Sequence, residues 1–174
     1  AEGSRNRTIP TFLQCCILTR AMMSPEDALY SAKMIELLTS IRTPWFSTLN
    51  LLNKIFLELV PCIQCCTEYE AKNLGTFLNA ILTCLRRWTS DAKIYARECA
   101  TKPGFCKNFS SPDNPKIEYK EFVSVYGRWM NKFSLVMNQI LGASEYMKIR
   151  NGLHTLSRVI DVFPAQGLHF SAIH

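Results

Sequence analysis

Apolar residues recur along most of this chain at steps of three and four, and that spacing dictates helix. The clearest run is Ala71, Leu74, Leu78, Ile81, Leu85 and Trp88. At 3.6 residues per turn these side chains form one stripe. Phe46, Leu49, Leu52, Phe56, Leu59 and Ile63 make a second run of the same kind, and Phe122, Tyr126, Trp129, Phe133, Val136 and Ile140 a third. Val123, Met130, Met137 and Leu141 add a stripe beside the third. A face that wide implies burial against more than one neighbour. No stretch sustains a period of two, which argues against a sheet.

The boundaries between runs carry helix punctuation. Ser24 is placed as an N-cap, with Pro25 at the first helical position and Glu26 and Asp27 in the first turn. Pro44 ends that helix by disfavouring the α region at Thr43. Pro61 lacks the N–H that would bond the carbonyl of Leu57, so it is expected to bend or end its helix. Thr67 with Glu70 reads as a capping box. Ser90 is expected to cap the short helix "DAKIYARECA" and Ser144 the last one, which stops before Pro164. "KPGFCKNFSSPDNP" is the one long loop. The first apolar stretch, "TIPTFLQCCILTRAMM", is expected to be helical too. These elements predict an all-α fold, an α-solenoid-like irregular array of about six to seven antiparallel helices. Residues 1–10 are expected to be a flexible lead, 11–164 a single helical segment, and 165–174 a truncated or flexible tail. No strict repeat is visible, which favours a degenerate array.

A chain of 174 residues suffices for one sizeable core. No run approaches 18 apolar residues, so no membrane span is expected. The polar start "AEGSRNRTIP" has no apolar segment of a signal peptide. It lacks an initial Met, and the chain is read as an excised piece of something longer.

"PCIQCC" places Cys62, Cys65 and Cys66 within five positions. On an α-helix they share a face, which would continue the apolar stripe of Phe56, Leu59 and Ile63. Zinc needs four ligands, usually as two spaced pairs, and a second Cys-x-x-Cys is missing. A thioredoxin-type motif needs a preceding strand. These cysteines are therefore read as core packing, with no metal and no cofactor expected. Asn6 and Asn108 head formal glycosylation triplets. With the eight cysteines they keep open a secreted, disulfide-bonded bundle beside the preferred reduced, intracellular reading.

No P-loop, nucleophile elbow, dinucleotide fingerprint or zinc-protease motif is present, and no catalytic residue is assigned. Glu68 and Glu70 read as helix-start acids, and His154 as a half-buried structural histidine. The net charge of +6 weakly favours acidic partners. Arg86, Arg87, Lys93, Arg97, Lys102 and Lys107 are the candidate nucleic-acid contacts, interleaved with Trp88, Tyr95 and Phe105. The competing reading is a solvated face in which Asp91 pairs with neighbouring cations.

Six segments, "SPEDALYSAKMIELL", "RTPWFSTLNLLNKIF", "CTEYEAKNLGTFLNAIL", "RWTSDAKIYARECATKPGF", "EFVSVYGRWMNKF" and "EYMKIRNGLHTLSRVI", resemble in order the C-terminal helical region of the largest subunit of the THO complex. Cys66, Glu68 and Glu70 match its "C-x-E-x-E" stretch. Trp88, Asp91, Tyr95, Glu98 and Cys99 match its "W-x-x-D-x-x-x-Y-x-x-E-C" stretch. The resemblance implies a nuclear, non-enzymatic α-solenoid scaffold within a large hetero-oligomer. Its implied partners are other THO subunits and the DEAD-box RNA helicase of TREX, with RNA or mRNP as a further contact. The implied role is mRNP assembly and transcription-coupled mRNA processing and export. The loop "CKNFSSPDNPKIEY" is shorter than the family pattern. A stand-alone helical RNA-binding module is the alternative.

Overall fold

A computed structural model describes residues 8–43, 46–106 and 115–163. Lys107, Asn6, Asn108 and the expected tail at 165–174 lie outside the described residues. Among the described residues there are seven helices and no strand, only an isolated antiparallel bridge between Cys106 and Lys116. The helices are α1 (residues 8–21), α2 (Pro25–Ser40), α3 (beginning at Thr48–Lys54), α4 (Glu68–Ser90), α5 (Ala92–Glu98), α6 (Tyr119–Leu141) and α7 (Tyr146–Val159). The first starts at residue 8, inside the lead expected to be flexible, and buries Ile9.

The interruption expected at Pro61 is spread over three turns. α-Helical bonding ends at Lys54, widens to a π turn over Ile55–Leu59, and tightens to a 3-10 turn over Val60–Cys65. The N–H of Val60 reaches back five residues to Ile55. This re-phasing corrects the reading of the cysteines. In a turn of three residues, Cys62 and Cys65 share a face that excludes Ile63. Ile63 is buried, whereas Cys62 and Cys65 are exposed and Cys66 is half-buried. Cys15 and Cys16, on a π turn of α1, are exposed as well, and all eight cysteines are unpaired.

Two caps follow the local chemistry. Ser24 Oγ accepts from Asp27 N at 3.0 Å, and Thr67 exchanges hydrogen bonds with Glu70 in a capping box. Two differ from expectation. α4 runs through Ser90, whose hydroxyl donates to Arg87 O within its own last turn. Asp91 is the residue that caps α5, accepting from Lys93 N at 2.8 Å. Ser144 also lies one position early: extended Glu145 occupies the cap, and its carboxylate pairs with Lys148 across the first turn.

The helices stack in two layers. Within the first, α4 packs against α2 on one side and α7 on the other. Matching ends meet. Asn73, early in α4, donates to Met22 O just before α2, while Arg87 near the end of α4 reaches Glu36 near the end of α2. Glu68 at the start of α4 pairs with Arg150, and Arg86 near its end donates to Asp161 O just past α7. Thus α2, α4 and α7 run parallel. α3 and α6 form the second layer. Trp129 of α6 stacks on Phe56 at 5.6 Å between ring centres and donates to Asn53 Oδ1 at 3.1 Å. The short α5 and the turn Pro103–Phe105 are bound to this core by Tyr95, Phe105 and Phe122, whose rings lie 5.0–6.0 Å apart.

Two small features bring α7 this close. Gly75 of α4 faces α7 so tightly that a Cβ there would sit 3.0 Å from Arg158 Cβ and 3.2 Å from the Thr155 backbone. Asn151 of α7 is fully buried and donates to the carbonyls of Ile63 at 3.1 Å and Cys66 at 2.5 Å. Both carbonyls lie at the end of the 3-10 turn, where that of Ile63 also accepts the Cys66 N–H at 3.3 Å. Gly75→Ala should lower stability by roughly 1–3 kcal/mol by forcing α4 and α7 apart. Urea unfolding should show a lower midpoint at unchanged slope. A midpoint equal to wild type would show that the two helices are not in close contact.

Candidate interaction surface

The basic residues chosen from sequence divide among several structural tasks. Arg87 leaves α4 toward α2 and α5, where its guanidinium lies 2.6 Å from Glu36 and 3.1 Å from Glu98. Glu36 also holds Lys33 at 2.8 Å, and Glu98 holds Arg97 at 2.9 Å. Trp88 Nε1 donates to the same Glu98 carboxylate at 3.2 Å. The result is a line of alternating charge, Lys33–Glu36–Arg87–Glu98–Arg97, that ties three helices together. Arg86, one residue away, points instead to the end of α7 and bonds Asp161 O at 2.9 Å. Lys102 donates to Ser40 O at 2.5 Å, a cation at the negative end of α2. Lys93 is exposed on α5. Arg87 and Arg97 therefore meet at Glu98, whereas Arg86 and Lys102 serve other joints. Asp91, read from sequence as a counter-ion, is occupied in capping.

The "W-x-x-D-x-x-x-Y-x-x-E-C" stretch is the hinge between α4 and α5. Trp88, Tyr95 and Cys99 are buried, Asp91 caps, and Tyr95 Oη donates to Ile117 O at 2.8 Å. Burial pushes the Tyr95 hydroxyl well above its ordinary value, so it remains a donor. His154 lies half-buried, 3.3 Å from a Glu68 carboxylate that Lys72 and Arg150 also hold. Sequence reasoning missed Glu36, Glu98 and Asn151 as joint-forming residues. Their partners lie 51, 11 and 85 to 88 positions away, so no local pattern marks them.

Beside the charged line a groove of about 400 Å³ opens between α2 and α4, with Ala32, Ile35, Ile81 and Leu85 inside and Arg158 of α7 at its margin. Cys84 lines it, and burial pushes that thiol up to about 12, so it stays protonated. Among the described residues no three His, Cys, Asp or Glu side chains are arranged to hold a metal ion.

Parallel helices stacked in two layers, with charges spent on the joints between them, define an all-α protein of the helical-array class. The family described as transcription factor/nuclear export subunit protein 2, Tho2, matches residues 1–174, and the chain belongs to that family. THO complex subunit 2 of Arabidopsis thaliana is 37% identical over 154 residues, covering 88% of this chain and 8% of that protein. The human THO complex subunit 2 is 34% identical over 170 residues, or 94% of this chain and 11% of that protein. The Saccharomyces cerevisiae THO complex subunit 2 is 26% identical over 168 residues, or 95% of this chain and 9% of that protein. The chain thus spans about a tenth of the length of these curated relatives.

The Arg87 joint has a pH signature. Burial pushes the Glu36 carboxyl up, but hydrogen bonds from Lys33 and Arg87 outweigh it and leave the group below its ordinary 4.5. Burial also raises Glu98, and Arg97, Arg87 and Trp88 together bring it below the same value. The unfolded chain takes up these protons near 4.5, the folded chain only at lower pH. The stabilisation is therefore complete above 4.5 and is lost as the pH falls through the folded-state values. For side chains this exposed, Arg87→Met should cost only about 0.5–1 kcal/mol near neutrality. Urea unfolding across pH should show that difference shrinking below pH 4.5. A difference independent of pH would remove the ion pairs from the account.

Proposed function

We propose that this chain is a non-enzymatic scaffold segment of the THO complex, from the C-terminal helical region of its largest subunit. Residues 11–164 act as one unit within a longer solenoid. In this reading the segment works in the nucleus, within a large hetero-oligomer that includes other THO subunits and the DEAD-box RNA helicase of TREX. Its contribution is to support mRNP assembly, transcription-coupled mRNA processing and nuclear mRNA export through protein–protein contacts. One observation carries the reading: the Tho2 family match covers residues 1–174, and the described residues fold as an all-α array. The placement of polar groups supports it. The buried Asn151 and the interhelical ion pairs join helices to one another. Purification of the full-length polypeptide from nuclear extract should retain the other THO subunits with or without RNase. Loss of all of them on RNase treatment would contradict direct protein–protein scaffolding.

RNA contact is minor in this reading and limited to phosphate. Arg86, Arg87, Arg97 and Lys102 already have partners within the chain. Among the described candidates that leaves about two cations, Lys93 and Arg97, the latter by exchanging its pairing with Glu98. Two phosphate contacts on a single strand give a fall of less than about tenfold in affinity between 50 and 200 mM salt, whereas a surface of four to six contacts gives on the order of a hundredfold. Filter binding of single-stranded RNA to the chain at several salt concentrations distinguishes them. The steeper dependence, lessened by Lys93→Gln with Arg97→Gln, would reinstate the RNA-binding module.

A further inference from the structure

α7 stands at the edge of the parallel layer, and its outer face is apolar. Tyr146, Ile149, Leu153, Leu156 and Ile160 follow one another at steps of three and four. Tyr146, Leu153 and Ile160 are 72%, 55% and 70% exposed, while Ile149 and Leu156 are half-buried. Isolated exposed hydrophobes are ordinary, but three on one stripe with two half-buried ones between them are not. The direction of the stripe is informative. α7 meets α4 through Asn151's side of the helix, with Thr155 donating to Ala71 O and the Arg158 stem lying on Gly75. With about 100° per residue, the stripe is centred roughly 180° from those three residues. It therefore faces the next position in the series α2, α4, α7. An array that ended here would need a polar outer face on its last helix.

We propose that the outer face of α7 is the seat of a further helix of the same polypeptide, lying parallel to α7 with an apolar stripe of its own turned inward. The occupant is assigned to the same chain on two grounds. The curated relatives extend roughly ten times further than this segment, so chain is available to fill the position. The spacing already set by α2, α4 and α7 also continues to that position without any new geometry. The proposal deepens the scaffold reading, and its test needs no partner subunit.

The test is side-chain accessibility in the full-length polypeptide carrying Leu153→Cys, with Ile160→Cys as a second, independent position. Maleimide labelling is read by mass spectrometry on the α7 peptide, relative to the same peptide in denaturant. Purified alone and folded, the chain should label at these positions on the order of tenfold or more slowly than in denaturant, because access requires local opening. Rapid labelling of the chain alone, followed by protection in the assembled complex, would overturn the proposal by assigning the face to another subunit. Rapid labelling in both would overturn it by showing the face uncovered. Co-purification of THO subunits is read separately, so failure of the scaffold reading would not be mistaken for failure of this one.

Discussion

The two-sided burial of α4 is the constraint from which the rest of the structure follows. Ala71, Leu74, Leu78, Ile81, Leu85 and Trp88 form the stripe legible in sequence, but Asn73, Gly75, Phe77 and Leu82 are buried as well. A helix covered on so much of its circumference must have neighbours on several sides. α2 and α7 supply the two flanks, and both run in the direction of α4. Parallel neighbours cannot be joined by short turns, so a helix of the opposite direction must intervene. α3 does this between α2 and α4. Between α4 and α7 the return is made by α6, with α5 and the Pro103–Phe105 turn inserted ahead of it.

Charge in this molecule is tied to that architecture. The line from Lys33 through Glu36, Arg87 and Glu98 to Arg97 runs across three helices. Arg86 and Asn79 of α4 both donate to carbonyls at the end of α7. Such bonds contribute little each when exposed. Their effect is to set which turn of one helix lies beside which turn of the next, because ionic and amide partners tolerate no slippage by a turn.

Helix existence and most helix boundaries were legible because they rest on local chemistry. The Thr67–Glu70 capping box and the Ser24 cap need only four neighbouring residues. The failures are equally physical. Ser90 and Asp91 are both good capping residues in adjacent positions, and local chemistry does not choose between them; the chain turns extended at Asp91. Cys62 and Cys65 were assigned to the core on an α-helical wheel, and the π and 3-10 turns around Pro61 changed the phase of that wheel. The roles of Arg86, Arg87 and Lys102 were not legible, since each is decided by a partner 11 to 75 residues away. The resemblance to the THO subunit was carried by ordered segments, and the family match agrees with it over residues 1–174.

The central claim is that α2, α4 and α7 lie side by side and parallel. Pairwise distances between spin labels at exposed helix ends test it most directly. Labels at Glu26 and Tyr69 mark the starts of α2 and α4, and Ser40 marks the end of α2. A helix of 16 residues spans about 24 Å. The account predicts a Glu26–Tyr69 backbone distance near the ~10 Å spacing of packed helices and a Ser40–Tyr69 distance of roughly 25 Å, close to the helix length itself. The reverse order, with Ser40 the nearer to Tyr69, would make the pair antiparallel and contradict the layered array.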